Sequence, residues 1–118
     1  MEPGIVAKIS ASPSLVWVVA AICFHIVNVF LGAFMAFMKK GPSLFRAHRY
    51  LYFAVLFSLI MFLVLNHVHA SNSWWEYLIG VYFITVIPQS KRWDVMVHAF
   101  LSIIGLTLLP VLVLLQLF

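Results

Sequence analysis

Apolar residues fall into four long runs, about 14–38, 50–68, 74–90 and 92–117, which are separated by short polar connections. At a rise of 1.5 Å per residue, runs of this length can cross about 30 Å of hydrocarbon as helices, although the third is short. The pattern predicts an all-α integral membrane protein, a four-helix transmembrane bundle that forms a single domain over residues 1–118.

Local signals mark where these helices begin and end. Ser73, with Glu76 three residues later, has the form of a capping box, which predicts a helix start at Trp74. The pair Gly41-Pro42 ends the first helix, and the second begins near residue 50 or as early as Pro42, with a basic, amphipathic first part. Pro110 predicts a bend in the fourth helix.

The composition supports a membrane protein, since 65% of residues are hydrophobic and only 8% are charged, against about 25% charged in soluble domains. Six of the seven Lys and Arg residues lie in two connections, and they are Lys39, Lys40, Arg46, Arg49, Lys91 and Arg92. Because cytoplasmic loops carry an excess of Lys and Arg, both chain ends are predicted to lie outside. The basic residues do not form the exposed basic face that nucleic-acid binding requires, so nucleic acid is not a predicted partner. We expect a bacterial inner membrane location, and we expect the chain start to be retained because it is acidic, unlike a signal peptide.

Two helix faces carry small and polar residues instead of bulky apolar ones. They are His25, Asn28 and Gly32 in the first helix, and Asp94, His98, Ser102 and Gly105 in the fourth. Small residues let membrane helices approach closely, and polar ones bond across the gap. These faces predict helix packing, and the favoured function is a small non-catalytic transmembrane subunit of a larger assembly. Its predicted partners are other integral membrane subunits and lipid, including anionic headgroups.

The step of four residues from Asp94 to His98 to Ser102 places all three on one helix face. A neutral His98 could donate to Asp94 and accept from Ser102 or from a neighbouring helix, with close packing at Gly105 beyond. Three groups stacked on one face cannot converge as a hydrolytic triad. No catalytic residue is therefore predicted, and an enzyme is disfavoured.

A second hypothesis is a redox subunit with b-type haem or quinone near the cytoplasmic face. Its site would comprise His48 and His98, with Arg46 and Arg49 available for haem propionates. Counting residues along the predicted helices places the two histidines about 10 Å apart in depth, which counts against a shared iron. The primary prediction therefore has no cofactor.

Two further alternatives use the ends of the helices. The basic connections could serve an inner-leaflet lipid-binding or lipid-modifying protein. His67 and His69, with Glu76 as a third group, provide too few ligands for a typical metal site, so they are interpreted as a solvated interfacial pair and no metal is predicted.

Overall fold

The computed structural model describes residues 4–38 and 41–117, which form helices and turns without a strand. Three helices are long and apolar enough to cross a membrane, and they are Leu15–Phe37, Pro42–His69 and Val95–Leu117. Their length and hydropathy indicate a multi-pass membrane protein. Lys39, Lys40 and the extreme ends of the chain lie outside the described residues.

The chain begins with a short helix, α1 (Ile5–Ala11), that the apolar pattern does not predict. A turn follows, in which the hydroxyl oxygen of Ser12 accepts from the main-chain N–H of Leu15 at 3.2 Å. The long helix α2 (Leu15–Phe37) starts there, close to the predicted boundary. Ser14 is buried and donates its hydroxyl to Asn66 on the next helix at 3.0 Å.

Helix α3 (Pro42–His69) begins at the earlier of the two predicted positions, so a start near residue 50 is wrong. Pro42 lies in the first helical turn, where its missing N–H costs nothing, and no glycine or proline follows before His69. Residues 42–49 are therefore helical. His48 lies almost two turns inside a helix instead of in a connection.

The next helical stretch begins at Trp74, as predicted, and the capping box of Ser73 and Glu76 is confirmed. It consists of α4 (Trp74–Val81), a π-helical segment (Tyr82–Val86) and α5 (Ile87–Ser90). In the π-helical segment the N–H of Ile87 reaches back five residues to the carbonyl of Tyr82. In the same register the carbonyl of Phe83 would meet Pro88, which has no N–H.

Helix α6 (Val95–Leu117) begins later than predicted, because residues 91–94 form a turn after α5. Asp94 is exposed and lies immediately before the helix, where its main-chain carbonyl accepts from His98 N at 3.0 Å. Pro110 lies inside α6, which continues to Leu117.

Helix α2 packs against both α3 and α6, and the α4–α5 stretch packs against α6 and α3. The buried core runs along these contacts and includes Val18, Ala21, Val55, Phe62, Phe83 and Leu109. Large apolar side chains point outward as well, among them Phe30, Phe53 and Phe100. Such a surface is suited to lipid and not to water.

The two ends of the helices differ in chemistry. At the end with the start of α2 and the finish of α3, which we call the network end, Asn66 accepts from Ser14 and donates to Asn72 at 2.7 Å. Gln116 of α6 donates to Glu76 of α4 at 2.7 Å. These bonds join α2 to α3 and α6 to α4. The opposite end, with the α2–α3 connection and residues 90–94, we call the basic end.

Candidate functional site

A cavity of about 340 Å³ lies at the basic end, between α2, α3, α5 and α6. Its walls are mostly apolar, and small side chains form much of them, namely Gly32, Ala33 and Ala36 from α2 and Ala99 from α6. The polar groups that reach it include His25, His48 and His98 together with Asn28 and Lys91. A cavity of this size, apolar with a few converging polar groups, is typical of small-molecule sites.

His48 of α3 and His98 of α6 approach each other across this cavity. Their ring centres are 6.4 Å apart, and the ring planes stand at 83° to each other. The depth difference of about 10 Å expected from residue counting is therefore wrong. The error arises because α3 already starts at Pro42. His48 therefore lies within this helix, beside His98, and not in the connection before it.

His98 is held by Ser90 at the end of α5. The hydroxyl of Ser90 lies 2.7 Å from the carbonyl oxygen of Ile87 and 2.8 Å from Nδ1 of His98. A carbonyl oxygen can only accept, so the Ser90 hydroxyl donates its one hydrogen to the carbonyl of Ile87 and accepts from Nδ1–H of His98. The proton of a neutral His98 is therefore on Nδ1, and Nε2 keeps a free lone pair.

His48 packs against the backbone of α2 at Gly32. A Cβ atom added to Gly32 would lie 3.3 Å from Cε1 of His48 and 4.0 Å from its Nδ1. Glycine at this position lets the imidazole cross the face of α2 to reach the cavity. Nδ1 of His48 is buried and has no hydrogen-bond partner among the described residues.

Asn28 lies one turn before Gly32 on α2 and is 94% buried, since its relative exposure is 6%. Its side-chain oxygen Oδ1 has no hydrogen-bond partner in the described part of the chain. The bond to another helix that is expected of Asn28 is therefore not made by Oδ1 in this structure. A buried amide oxygen without a donor is costly and calls for an explanation at this site.

His25, by contrast, is a packing residue, as predicted. Its Nε2 lies 2.9 Å from the main-chain carbonyl oxygen of Ser102 on α6, to which it donates. Its ring also meets Phe83 edge to face at 5.1 Å. His25 closes the deep end of the cavity and bonds α2 to α6.

The expected side-chain relay from Asp94 through His98 to Ser102 does not form. Asp94 is exposed, His98 bonds to Ser90, and Ser102 donates to the main-chain carbonyl of His98 at 2.8 Å. Asp94 lies at the position before α6, one turn before His98, but its side chain is exposed and makes no bond to the imidazole.

Close packing at Gly105 is confirmed. A Cβ atom there would lie 3.0 Å from side-chain carbons of both Ile87 and Phe83. The neighbours of Gly105 are thus side chains of the α4–α5 stretch, which dock on α6 where it has no side chain of its own.

Among residues 4–38 and 41–117, the cation that lines the cavity is Lys91, which the sequence-based hypothesis did not select. Arg46 and Arg49 are exposed on α3, and neither lines the cavity. Ser90 and Tyr52 were also missed. A signal for Ser90 and Lys91 existed, because both lie in the basic connection that directly precedes the helix carrying His98.

The histidines at the network end take no part in this site. His67 and His69 are exposed at the end of α3, and Glu76 is occupied by Ser73 and Gln116. Within residues 4–38 and 41–117, no group of three His, Cys, Asp or Glu side chains could hold a metal ion.

Comparison with known proteins gives no relative. No protein family, no curated protein and no solved structure matches this chain.

Proposed function

We propose that this chain is a small membrane redox subunit that binds b-type haem in the cavity at the basic end, with His48 and His98 as ligands of one iron. The observation that carries the proposal is the 6.4 Å separation of the two imidazole ring centres. A metal–nitrogen bond of about 2.0 Å on each side, plus about 1.1 Å from each nitrogen to its ring centre, gives about 6 Å for two imidazoles on one metal.

The number of ligands favours haem over a bare metal ion. Zinc sites use three or four protein ligands, whereas the described residues bring two imidazoles together. In haem the porphyrin supplies the other four iron ligands, so two imidazoles complete the coordination.

The shape of the cavity also supports a flat, apolar ligand. It follows α2 from His25 to Phe37, twelve residues or about 18 Å at 1.5 Å per residue. Small residues on α2 and α6, among them Gly32, Ala36 and Ala99, line this space and leave room for a ring. Apolar walls exclude water from the ring and favour its partition from the bilayer.

Each residue of the site would then have a definite role. His98 offers its Nε2 lone pair, and Ser90 holds the ring by accepting from Nδ1–H. Lys91 lines the cavity and would pair with a haem propionate, whereas Arg46 and Arg49 do not line it. The haem supplies one-electron transfer, and the protein supplies orientation and a dry surrounding.

Orientation and partners complete the proposal. The basic connections would lie in the cytoplasm, so both chain ends would lie outside and the α4–α5 stretch would serve as the fourth crossing. A subunit with one haem must exchange electrons with other proteins, so we retain assembly with other integral membrane subunits, in a bacterial inner membrane. The exposed Arg46 and Arg49 suit anionic headgroups of the inner leaflet.

Quinone is the second candidate, and one observation favours it. The cavity presents lone pairs without donors at Oδ1 of Asn28 and Nδ1 of His48, to which the two hydroxyls of a quinol could donate. A quinone would make no use of the spacing of His48 and His98, so haem is preferred.

The test is the visible absorption spectrum of the protein purified in mild detergent from cells supplied with a haem precursor. We expect a Soret band with about one haem per chain, and its loss in His48→Ala and in His98→Ala. His67→Ala and His69→Ala are matched controls, because both histidines are exposed at the opposite end. A folded wild-type protein that binds no haem, and instead yields quinone on solvent extraction, would replace the proposal by its alternative.

A further inference from the structure

We infer that Asn28 is the positioning residue for His48, with its side-chain oxygen Oδ1 accepting from Nδ1–H of the imidazole when His48 binds iron through Nε2. This inference rests on the proposed haem site and adds to it the group that fixes the second ligand.

Two unpaired buried atoms of complementary chemistry share one wall of the cavity. Oδ1 of Asn28 can only accept, and Nδ1 of His48 donates in one of its two neutral tautomers. Of all buried side-chain nitrogen and oxygen atoms in the described chain, these two lack partners. Pairing them removes both unsatisfied groups at once.

The orientation of the His48 ring supports this pairing. Cε1 and Nδ1 are the ring atoms within 4 Å of a Cβ built on Gly32, and Nε2 lies farther from it. Cε1 of His48 is therefore the ring atom nearest to α2 and Nδ1 is the next, on the helix face that Asn28 and Gly32 share one turn apart.

The result would be a matched pair of ligands. Histidine ligands of metals almost always donate their second ring N–H to an oxygen, which fixes the tautomer and makes the ligating nitrogen more basic. Ser90 does this for His98, since its hydroxyl accepts from Nδ1–H. Asn28 would do the same for His48, with each acceptor on a different helix from the histidine that it serves.

The reduction potential of the bound haem tests the inference. If Asn28 had a purely structural role, removing its acceptor and strengthening it would not shift the potential in opposite directions. Asn28→Leu removes the acceptor at similar volume, so we expect about 10–100-fold weaker haem binding and a more positive potential. Asn28→Asp offers a stronger acceptor and should shift the potential to more negative values. Should Asn28→Leu fail to fold, Asn28→Ala removes the same acceptor without adding volume, and the same positive shift is expected.

Ser58→Ala is the matched control. Ser58 is equally buried, donates to the carbonyl of Ala54 in its own helix, and does not line the cavity, so the potential should stay unchanged. Potentials of both Asn28 variants equal to wild type, or shifted in the same direction, would overturn the inference while leaving the haem site intact. A wild-type protein without haem would instead overturn the proposed function, and this inference with it.

Discussion

Tyr52 of α3 donates its hydroxyl to the main-chain carbonyl oxygen of Phe83 at 2.8 Å. That carbonyl precedes Pro88 by five residues, and the missing N–H of Pro88 is the donor that it would have met in the π-helical register. A side chain from a neighbouring helix thus replaces a hydrogen bond that proline cannot make. The same proline lines the cavity, so this bond fixes one wall of the proposed haem site.

Tyr52→Phe should destabilise the protein, because it leaves the carbonyl of Phe83 without a donor. Hydrogen bonds between membrane helices average about 0.6 kcal/mol and reach about 1.7 kcal/mol. Because the carbonyl of Phe83 has no other donor, we expect a loss of stability near the upper value. Reversible unfolding in mixed micelles measures the change. Tyr50→Phe is the control, since Tyr50 is exposed. Equal stability of the two variants would show that Phe83 finds another donor.

Gly105→Ala should cost about 1 kcal/mol, and Gly105→Leu about 3 kcal/mol or more. A methyl group there lies 3.0 Å from side-chain atoms of both Ile87 and Phe83, and a larger side chain cannot be accommodated without separating α6 from the α4–α5 stretch. Unfolding experiments should place the variants in that order. In Gly41→Ala no described residue lies within 4 Å of the new Cβ, so overpacking costs nothing there and only the N-cap preference for glycine is lost. Tolerance of leucine at 105 would contradict the observed packing.

Ser90→Ala should weaken haem binding by about 10–100-fold while leaving the fold intact. Its hydroxyl accepts from Nδ1–H of His98, and without it His98 is free to rotate and to change tautomer. Haem transfer to an apo-globin acceptor measures the affinity. Thr85→Ala removes an exposed hydroxyl that bonds only within its own helix, so its haem affinity should equal that of wild type. An unchanged affinity in Ser90→Ala would mean that Ser90 does not orient His98.

Membrane orientation has its own test, since the positive connections are predicted to be cytoplasmic. In a Cys23→Ala background, a cysteine in place of exposed Gln89 should react with an impermeant thiol reagent only from the cytoplasmic side. A cysteine in place of exposed Ser71 should react only from outside. The reverse pattern would invert the topology and move the cavity to the outer side.

Much of the fold is encoded locally and could be predicted. Apolar runs give the long helices by length alone, and the capping box at Ser73 and Glu76 sets a helix start through neighbouring residues. The start of α3 shows the limit, because residues 42–49 carry few apolar residues yet contain no breaker after Pro42. A boundary error of eight residues there displaced His48 along the helix axis by more than a full turn.

The site could be predicted only in part, because its contacts join residues far apart in the chain. His48 and His98 could be named from residue type, and His25 as a packing residue from its helix face. The hydrogen-bond partners of these histidines could not be predicted, because Ser90 contacts His98 only where the turn at 91–94 brings α5 beside α6. The unpaired Oδ1 of Asn28 likewise becomes apparent only once every neighbouring donor is located.

The most direct test of the central claim, that His48 and His98 bind one iron, is the electron paramagnetic resonance spectrum of the ferric protein. With ring planes at 83°, the two imidazoles would each act on a different dπ orbital of a bound iron, which would leave these orbitals nearly equal in energy. We predict a low-spin, strongly anisotropic signal in the wild type, replaced by a high-spin signal in His48→Ala and in His98→Ala. A high-spin wild-type spectrum, or a low-spin signal that survives loss of either histidine, would contradict the account.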